Sequence, residues 1–413
     1  MASFYISRVL YGDYFAPLGI FLSINLLSLS LYHLKLIPLN NLSLEAYGLI
    51  VLSFYSFSLG VVAATPAMFN KKTKKFSVVG RISNSILSKQ ALIAFYYLTA
   101  ILATFGWVFL LINYLSSYSL KDIHLLQYYF QSQPYIGYLN VLGILVLPTF
   151  FLLKMIRYKI TGIAICFVFS AIVGLFLSGI KTYLIFSLVV SFLVTSIFKP
   201  LKVKFKHLMA LSFLVLAFFI AYNQLIDIYI GRNIYSSIIP EELSFLRSPY
   251  GYITGPWPAM SAVMKNPPDQ PHWGFVTFHF LWKILGDGLG IIPSVPNVEP
   301  GVDIGASSNF NVYGLIGGMY WDFGVFGPLF GCFILAFISS RLYLAARKYR
   351  NWITIICSSI FLYGLFISFF LYYYRIHVLF LILYIIIVGK LLKKICKVFT
   401  KAHKGIVIYN NTY

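Results

Sequence analysis

Lys181, Arg232, Arg247 and Arg375 all stand close to the predicted membrane boundary on one side in this 413-residue sequence. Guanidinium groups grip phosphate or carboxylate oxygens as a two-pronged fork, and a lysine acts as a compact point charge. Four such groups on one side of a membrane would suit an anionic substrate. Ser178-Gly179-Ile180-Lys181-Thr182 reads as a tight turn with Thr182 capping the next helix, and a helix N-terminus beside a lysine is an anion site. Arg232 directly follows an apolar run, Arg247 precedes Pro249, and Arg375 lies in Tyr372-Tyr373-Tyr374-Arg375-Ile376-His377. The same cations also suit snorkelling, in which a long side chain at a helix end reaches the headgroups. Spacing alone leaves both readings open.

Acids on the same side are Glu241, Glu242, Asp269, Asp287, Glu299, Asp303 and Asp322. Any of them could take a proton from a hydroxyl or neutralise an arginine. Asp322 lies nearest to hydrocarbon, where an ionisable residue is usually functional, although it could equally cap the helix that follows. His272 and His279 are seven residues apart and could share a helix face, but no acid stands at ligand spacing beside them, so no metal site is expected. Tyr250, Tyr252, Trp257, Trp273 and Trp282 could offer flat faces to sugar rings, or could gather at a membrane interface for their amphipathic character. There is no phosphate-cradling glycine loop, no HExxH and no paired-cysteine spacing. Asp322-Phe323-Gly324 spells a kinase triplet without any of its companions. Cys166, Cys332, Cys357 and Cys396 all fall in or beside apolar runs, which supports no disulfide framework. No cofactor is expected.

The elements that must position these groups follow from composition. Residues are 60% apolar and only 10% charged, with a mean hydropathy of +0.83. A soluble domain is usually about 25% charged and has too little interior to hide so much apolar surface. A span needs about 20 apolar residues, which predicts ten helices at roughly 15–37, 46–69, 91–115, 135–153, 160–178, 182–198, 208–230, 323–345, 352–373 and 376–392. The first is expected to be a retained span, not a cleaved signal.

The net charge of +21 invites a nucleic-acid reading, but the basic residues fall in short clusters between apolar runs. Those clusters are Lys71 to Lys89, Lys154 to Lys159, Lys199 to Lys206, Arg341 to Arg350 and Lys390 to Lys404, all on one side of the predicted spans. The excess charge is therefore topological. Such clusters mark the cytoplasmic face, which places both termini in the cytoplasm and leaves no nucleic-acid partner.

The chain thus reads as an all-α polytopic membrane protein in four parts. Residues 1–230 hold seven transmembrane helices, 231–311 a large outer loop, 312–392 three further transmembrane helices, and 393–413 a basic cytoplasmic tail. The loop carries 10 of the 17 prolines and three of the six tryptophans. Chain this long and irregular is functional or disordered, and its aromatic content argues against disorder. Within it, the stretch 273–285 is expected to form a short helix on the membrane surface or over a cavity.

Tyr252-Ile253-Thr254-Gly255-Pro256 in the loop, and Asn311 through Tyr320-Trp321-Asp322-Phe323-Gly324-Val325-Phe326-Gly327 leading into the next span, resemble the bacterial oligosaccharide repeat-unit polymerases of O-antigen and capsule synthesis, the Wzy type. The likeness extends to the arrangement of about ten spans, cytoplasmic termini and one dominant periplasmic loop containing short helices. In such proteins the turn before the sixth span often carries Gly-x-Arg-Thr, where this chain has Lys181, a change that keeps charge and loses the fork.

The resemblance implies an inner-membrane glycosyltransferase that moves a growing glycan from its undecaprenyl diphosphate carrier onto the next lipid-linked repeat unit. Its partners would be the undecaprenyl-diphosphate-linked oligosaccharide, membrane lipid, a chain-length regulator and a flippase. Lys181, Arg232, Arg247 and Arg375 would hold diphosphate, with Tyr252 and Trp257 on the substrate. Asp322, or else His279, would take the acceptor proton, without metal or cofactor. An O-antigen ligase, which uses the same donor but a lipid A core acceptor, is the nearest alternative. A lipid-linked oligosaccharide flippase or other transporter would want charges inside its spans, and a purely structural scaffold has little use for Arg375.

Overall fold

The computed structural model describes residues 7, 11, 13, 15–65, 86–118, 126, 129–130, 134–178, 181–199, 213, 217, 220–221, 246–266, 274, 276–278, 282, 285–286, 289–292, 301–305, 309–373 and 376–410. Its helices are α1 (Pro17–His33), α2 (Leu44–Ala64), α3 (Ile86–Ser117), α4 (Pro134–Val141), α5 (Gly143–Met155), α6 (Gly162–Leu177) and α7 (Lys181–Phe198). There follow α8 (Arg247–Thr254), α9 (Pro256–Lys265), the strands β1 (Val302–Asp303) and β2 (Asn309–Phe310), then α10 (Gly314–Phe323), α11 (Phe326–Tyr349), α12 (Trp352–Phe366) and α13 (Ile376–Asn410). Four segments, Leu44–Ala64, Lys89–Ser117, Ile136–Met155 and Phe326–Tyr349, are helices long and apolar enough to cross a membrane, and shorter apolar helices accompany them. The chain is therefore predominantly helical and of membrane-protein character.

Local sequence explains where these helices start. Pro17 opens α1, where its missing N–H costs nothing. The Ser43 and Thr161 side chains cap α2 and α6 by accepting from the amides of Ala46 and Ala164. The span expected at 135–153 matches the segment Ile136–Met155, with a single turn residue, Leu142, between α4 and α5, and the one expected at 323–345 is preceded by the separate ten-residue helix α10. The segment expected at 208–230 lies almost wholly outside the described residues. Through the segment expected as a basic tail from 393, α13 continues as helix to Asn410.

Two compact units divide the chain. One comprises Met1–Val78, Val203–Tyr343 and Phe361–Val378, and the other Val79–Lys202, Leu344–Ile360 and Leu379–Tyr413. In the first, Phe21 stacks on Phe57 at 3.9 Å between ring centroids, joining α1 to α2. Gly60 brings α2 against the backbone of Phe333 in α11, and the Ser56 hydroxyl donates to the Leu329 carbonyl. Near the start of the chain, buried Asp13 accepts from the Tyr343 hydroxyl at 2.5 Å and from the Phe15 amide at 3.0 Å.

The chain of the 231–311 loop is anchored to the first unit's helical hairpin. Ser28 donates to the Ile253 carbonyl at 2.6 Å, and the Tyr250 hydroxyl donates to the Leu31 carbonyl at 2.7 Å and accepts from the Leu36 amide at 3.1 Å. Burial raises the Tyr250 phenol above its ordinary value. The Asn40 amide donates to the Ile304 carbonyl at 2.8 Å, beside the two-residue ladder in which Val302 faces Phe310 and Asp303 faces Asn309. That small β pair is a local addition to a fold otherwise of the expected all-α class. Of the helix expected at 273–285, residues 276–278 form turn, and most of the rest lies outside the described residues.

In the second unit, Trp107 of α3 packs on Gly174 of α6 and donates from its indole to Ser170 at 3.1 Å. Pro148 sits inside α5. Proline cannot donate to the carbonyl four residues earlier, here Ile144, and a carbonyl left bare in an apolar setting is costly. The Ser187 hydroxyl of α7 donates to that carbonyl at 3.1 Å, and Ser187 is 3% exposed. Replacement Ser187→Ala strips this acceptor of its partner and is expected to destabilise the fold by about 1–3 kcal/mol, read as a lowered Tm in detergent. An unchanged Tm would mean that the carbonyl is satisfied another way.

Candidate functional site

Asp322 lies in the last turn of α10 and is 0% exposed. Burying a carboxylate is expensive unless its oxygens are met by donors. Here one oxygen accepts the backbone N–H of Val276 at 2.8 Å and the other accepts that of Thr277 at 2.6 Å. Consecutive amides thus hold both ends of one carboxylate, in the charge-assisted manner that gives short, strong hydrogen bonds. Tyr372 lies near the Thr277 side chain and the Asp322 carboxylate. Three stretches far apart in sequence converge on one charge.

Helix α10 is shaped to permit this convergence. Gly314 has φ +64°, a left-handed conformation that side chains resist. It turns the chain so that its amide donates to the Phe370 carbonyl at 3.2 Å, and the Leu315 amide donates to the Ser368 carbonyl at 2.8 Å. The first donors of one helix, which lack partners within it, thereby satisfy carbonyls beyond the end of another. A Cβ on Gly318 would stand 3.1 Å from the Tyr372 Cβ and 3.2 Å from a Val276 methyl, so only hydrogen fits comfortably there.

At its other end α10 stops at Gly324, whose φ of +59° and ψ of −149° belong essentially to glycine. Gly327 then lets α11 begin directly against the Met319 carbonyl, with its amide donating to Gly324 at 3.1 Å. The run Asp322-Phe323-Gly324-Val325-Phe326-Gly327 is thus a clamp followed by an elbow. Asp322 does not cap the next span, because Gly324 separates the two helices. Tyr313 and Trp321 stack across α10 at 5.4 Å with planes 8° apart.

The other sequence-selected residues are distributed unevenly. Arg247 opens α8 and is partly buried, in the same unit as Asp322. Tyr252 is half-buried, with its ring 6.4 Å from Phe310 and 5.4 Å from Phe370 between centroids. Trp257 is 3% exposed, and its indole donates to Ser28 at 2.8 Å, so its faces are occupied by the fold and not offered to a sugar. Lys181 is the first residue of α7, which puts Thr182 inside the first turn and not ahead of it as a cap. His279, Arg232 and Arg375 lie outside the described residues. No group of three or more metal-ligating side chains occurs among the described residues.

The site therefore gathers Asp322, the amides of Val276 and Thr277, Tyr372 and the glycine face of α10. Backbone donors leave no mark in a sequence, and Tyr372 was legible only as part of an aromatic turn. The clustered glycines 314, 317 and 318 were the available signal, since a helix that keeps so many is being approached closely.

Asp322→Ala is expected to release the 276–277 backbone, accelerating hydrogen exchange at both amides by about 10- to 100-fold and lowering Tm, as loss of charge-assisted bonds worth about 1.5–3 kcal/mol each implies. Asp322→Asn keeps the shape but turns an NH2 toward an amide N–H, so it should accelerate the exchange at one of the two. Protection unchanged in both variants would sink the clamp. Comparison with protein-family models, with curated proteins and with solved structures finds no match.

Proposed function

We propose that this chain is a polysaccharide polymerase of the bacterial inner membrane, with about ten spans and both termini cytoplasmic, that extends lipid-diphosphate-linked repeat units at the outer face. The observation that carries the reading is the tie between Asp322 and the Val276 and Thr277 amides. It joins the element bearing the family-like Tyr-Trp-Asp-Phe-Gly sequence to the loop in which acceptor and donor would meet.

In this reaction the acceptor hydroxyl oxygen attacks the anomeric carbon of the growing glycan as the bond to the carrier diphosphate breaks. The electron pair of that bond leaves on the diphosphate, which needs positive charge more than it needs a proton. Arg232, Arg247 and Arg375 are our choice for that charge, and Tyr252 for contact with the substrate. Both oxygens of Asp322 already accept backbone amides within a closed environment. We therefore assign it to positioning the loop, and give the acceptor proton to His279, two residues along from Thr277 in sequence.

In vitro polymerisation of the native lipid-linked repeat unit tests the assignment. Arg232→Ala and Arg247→Ala, at normal abundance, should each lower the rate by about 100-fold, the scale of losing one fixed group that stabilises a developing anion. Full-length polymer from both variants would remove the diphosphate role. In cells, loss of the chain should leave single repeat units on the acceptor. A bare acceptor would point to ligation, and lipid-linked sugar crossing sealed vesicles without chain growth would point to transport.

A further inference from the structure

The longest helix of the structure, α13, has 35 residues and spans about 52 Å at 1.5 Å per residue. Hydrocarbon about 30 Å thick accounts for roughly 20 of them. Lys393 marks a level on this helix, donating to the Asn351 side chain at 2.8 Å and lying 5.6 Å from the Trp352 ring centre. Asn351 and Trp352 stand at the start of α12, just after Arg347, Lys348 and Arg350. A tryptophan beside a cluster of cations at a helix end is the signature of a membrane interface. Helix α13 continues for 17 residues past that level.

The faces of the helix around and beyond this level are sorted. Lys390, Lys394 and Lys397 are exposed and fall within about 60° of one another around the helix at 100° per residue. Lys401 and Lys404 continue the same register along the helical backbone. Roughly 100° round from the lysines runs an apolar stripe of Leu391, Ile395 and Val398, flanked by Phe399, with Val398 61% and Phe399 71% exposed. No aspartate or glutamate occurs anywhere after Asp322, so the lysine face has no carboxylate of its own segment to neutralise it.

We propose that this face of α13 binds the headgroups of anionic phospholipids. Where the helix leaves hydrocarbon, Leu391, Ile395 and Val398 are suited to the acyl boundary and the neighbouring lysines to phosphates, the pattern of a polybasic segment next to a membrane helix. Continuity with a helix of membrane-crossing length places the lysines next to headgroups without any further docking step. A soluble acidic protein would match the charge but would leave Val398 and Phe399 without a reason. The inference is independent of the polymerase reading.

The full chain, purified in neutral detergent and equilibrated with equal phosphatidylglycerol and phosphatidylcholine, is examined by native mass spectrometry for retained lipid. The wild type should retain phosphatidylglycerol preferentially, with the preference weakening as salt is raised. The triple replacement Lys390→Gln, Lys394→Gln, Lys397→Gln should lower that preference about tenfold while leaving phosphatidylcholine retention and Tm unchanged. The corresponding triple Lys→Arg variant should keep it. An equal retention of both lipids by the wild type, or an undiminished preference in the glutamine variant, overturns the proposal. So does displacement of phosphatidylglycerol by a polyglutamate peptide at equal charge, which would make the face a protein-docking surface.

Discussion

A peptide carbonyl or N–H surrounded by apolar atoms must find a partner within the protein, because no water is there to replace it. This constraint explains the places where the structure departs from simple helices. Pro148 leaves the Ile144 carbonyl bare and Ser187 reaches from α7 to meet it. The first amides of α10 find carbonyls at Ser368 and Phe370. The Val276 and Thr277 amides, in a stretch of turn, find the Asp322 carboxylate. In each case an irregular piece of backbone is tolerated because a specific group elsewhere answers it.

Asp322 carries an additional burden. A carboxylate in the last turn of a helix faces the negative end of the helix dipole, which disfavours it. Two amide donors offset that and the loss of hydration together, so the clamp is strong only while both bonds hold. The glycines of α10 serve the same end by a different means: hydrogen in place of a side chain lets Tyr372 and Val276 approach the helix backbone. Chemistry in the loop, on our reading, depends on backbone geometry set from beneath it.

Much of the helical framework was legible because an unbroken apolar run of about twenty residues has few other uses. Helices α1, α2, α6 and α7 fall within a few residues of the spans read from sequence. The short helix α10 was hidden because Gly314 to Phe323 is as apolar as the span it precedes, and only backbone conformation at Gly324 shows the break. The segment from 393 read as a basic tail because its lysines follow an apolar run, and because lysine is also a good helix former α13 continues through it. Asp322 was visible as an acid near hydrocarbon. Its partners were not, since they are main-chain amides. Trp257 shows the opposite failure, in that an aromatic chosen for its flat faces proves to have them buried.

The uninterrupted course of α13 has a mechanical side. From Lys393 to Asn410 the helix forms an arm of about 25 Å beyond the level of Trp352. Transmembrane helices are tilted by about 20° on average, and tilt is one way they adjust to local bilayer thickness. Half of that tilt swings the end of such an arm by roughly 4 Å, about the width of a side chain. On our reading that α13 leaves the bilayer at that level, a stiff rod of this kind turns a small change in bilayer thickness into a displacement large enough to make or break a contact.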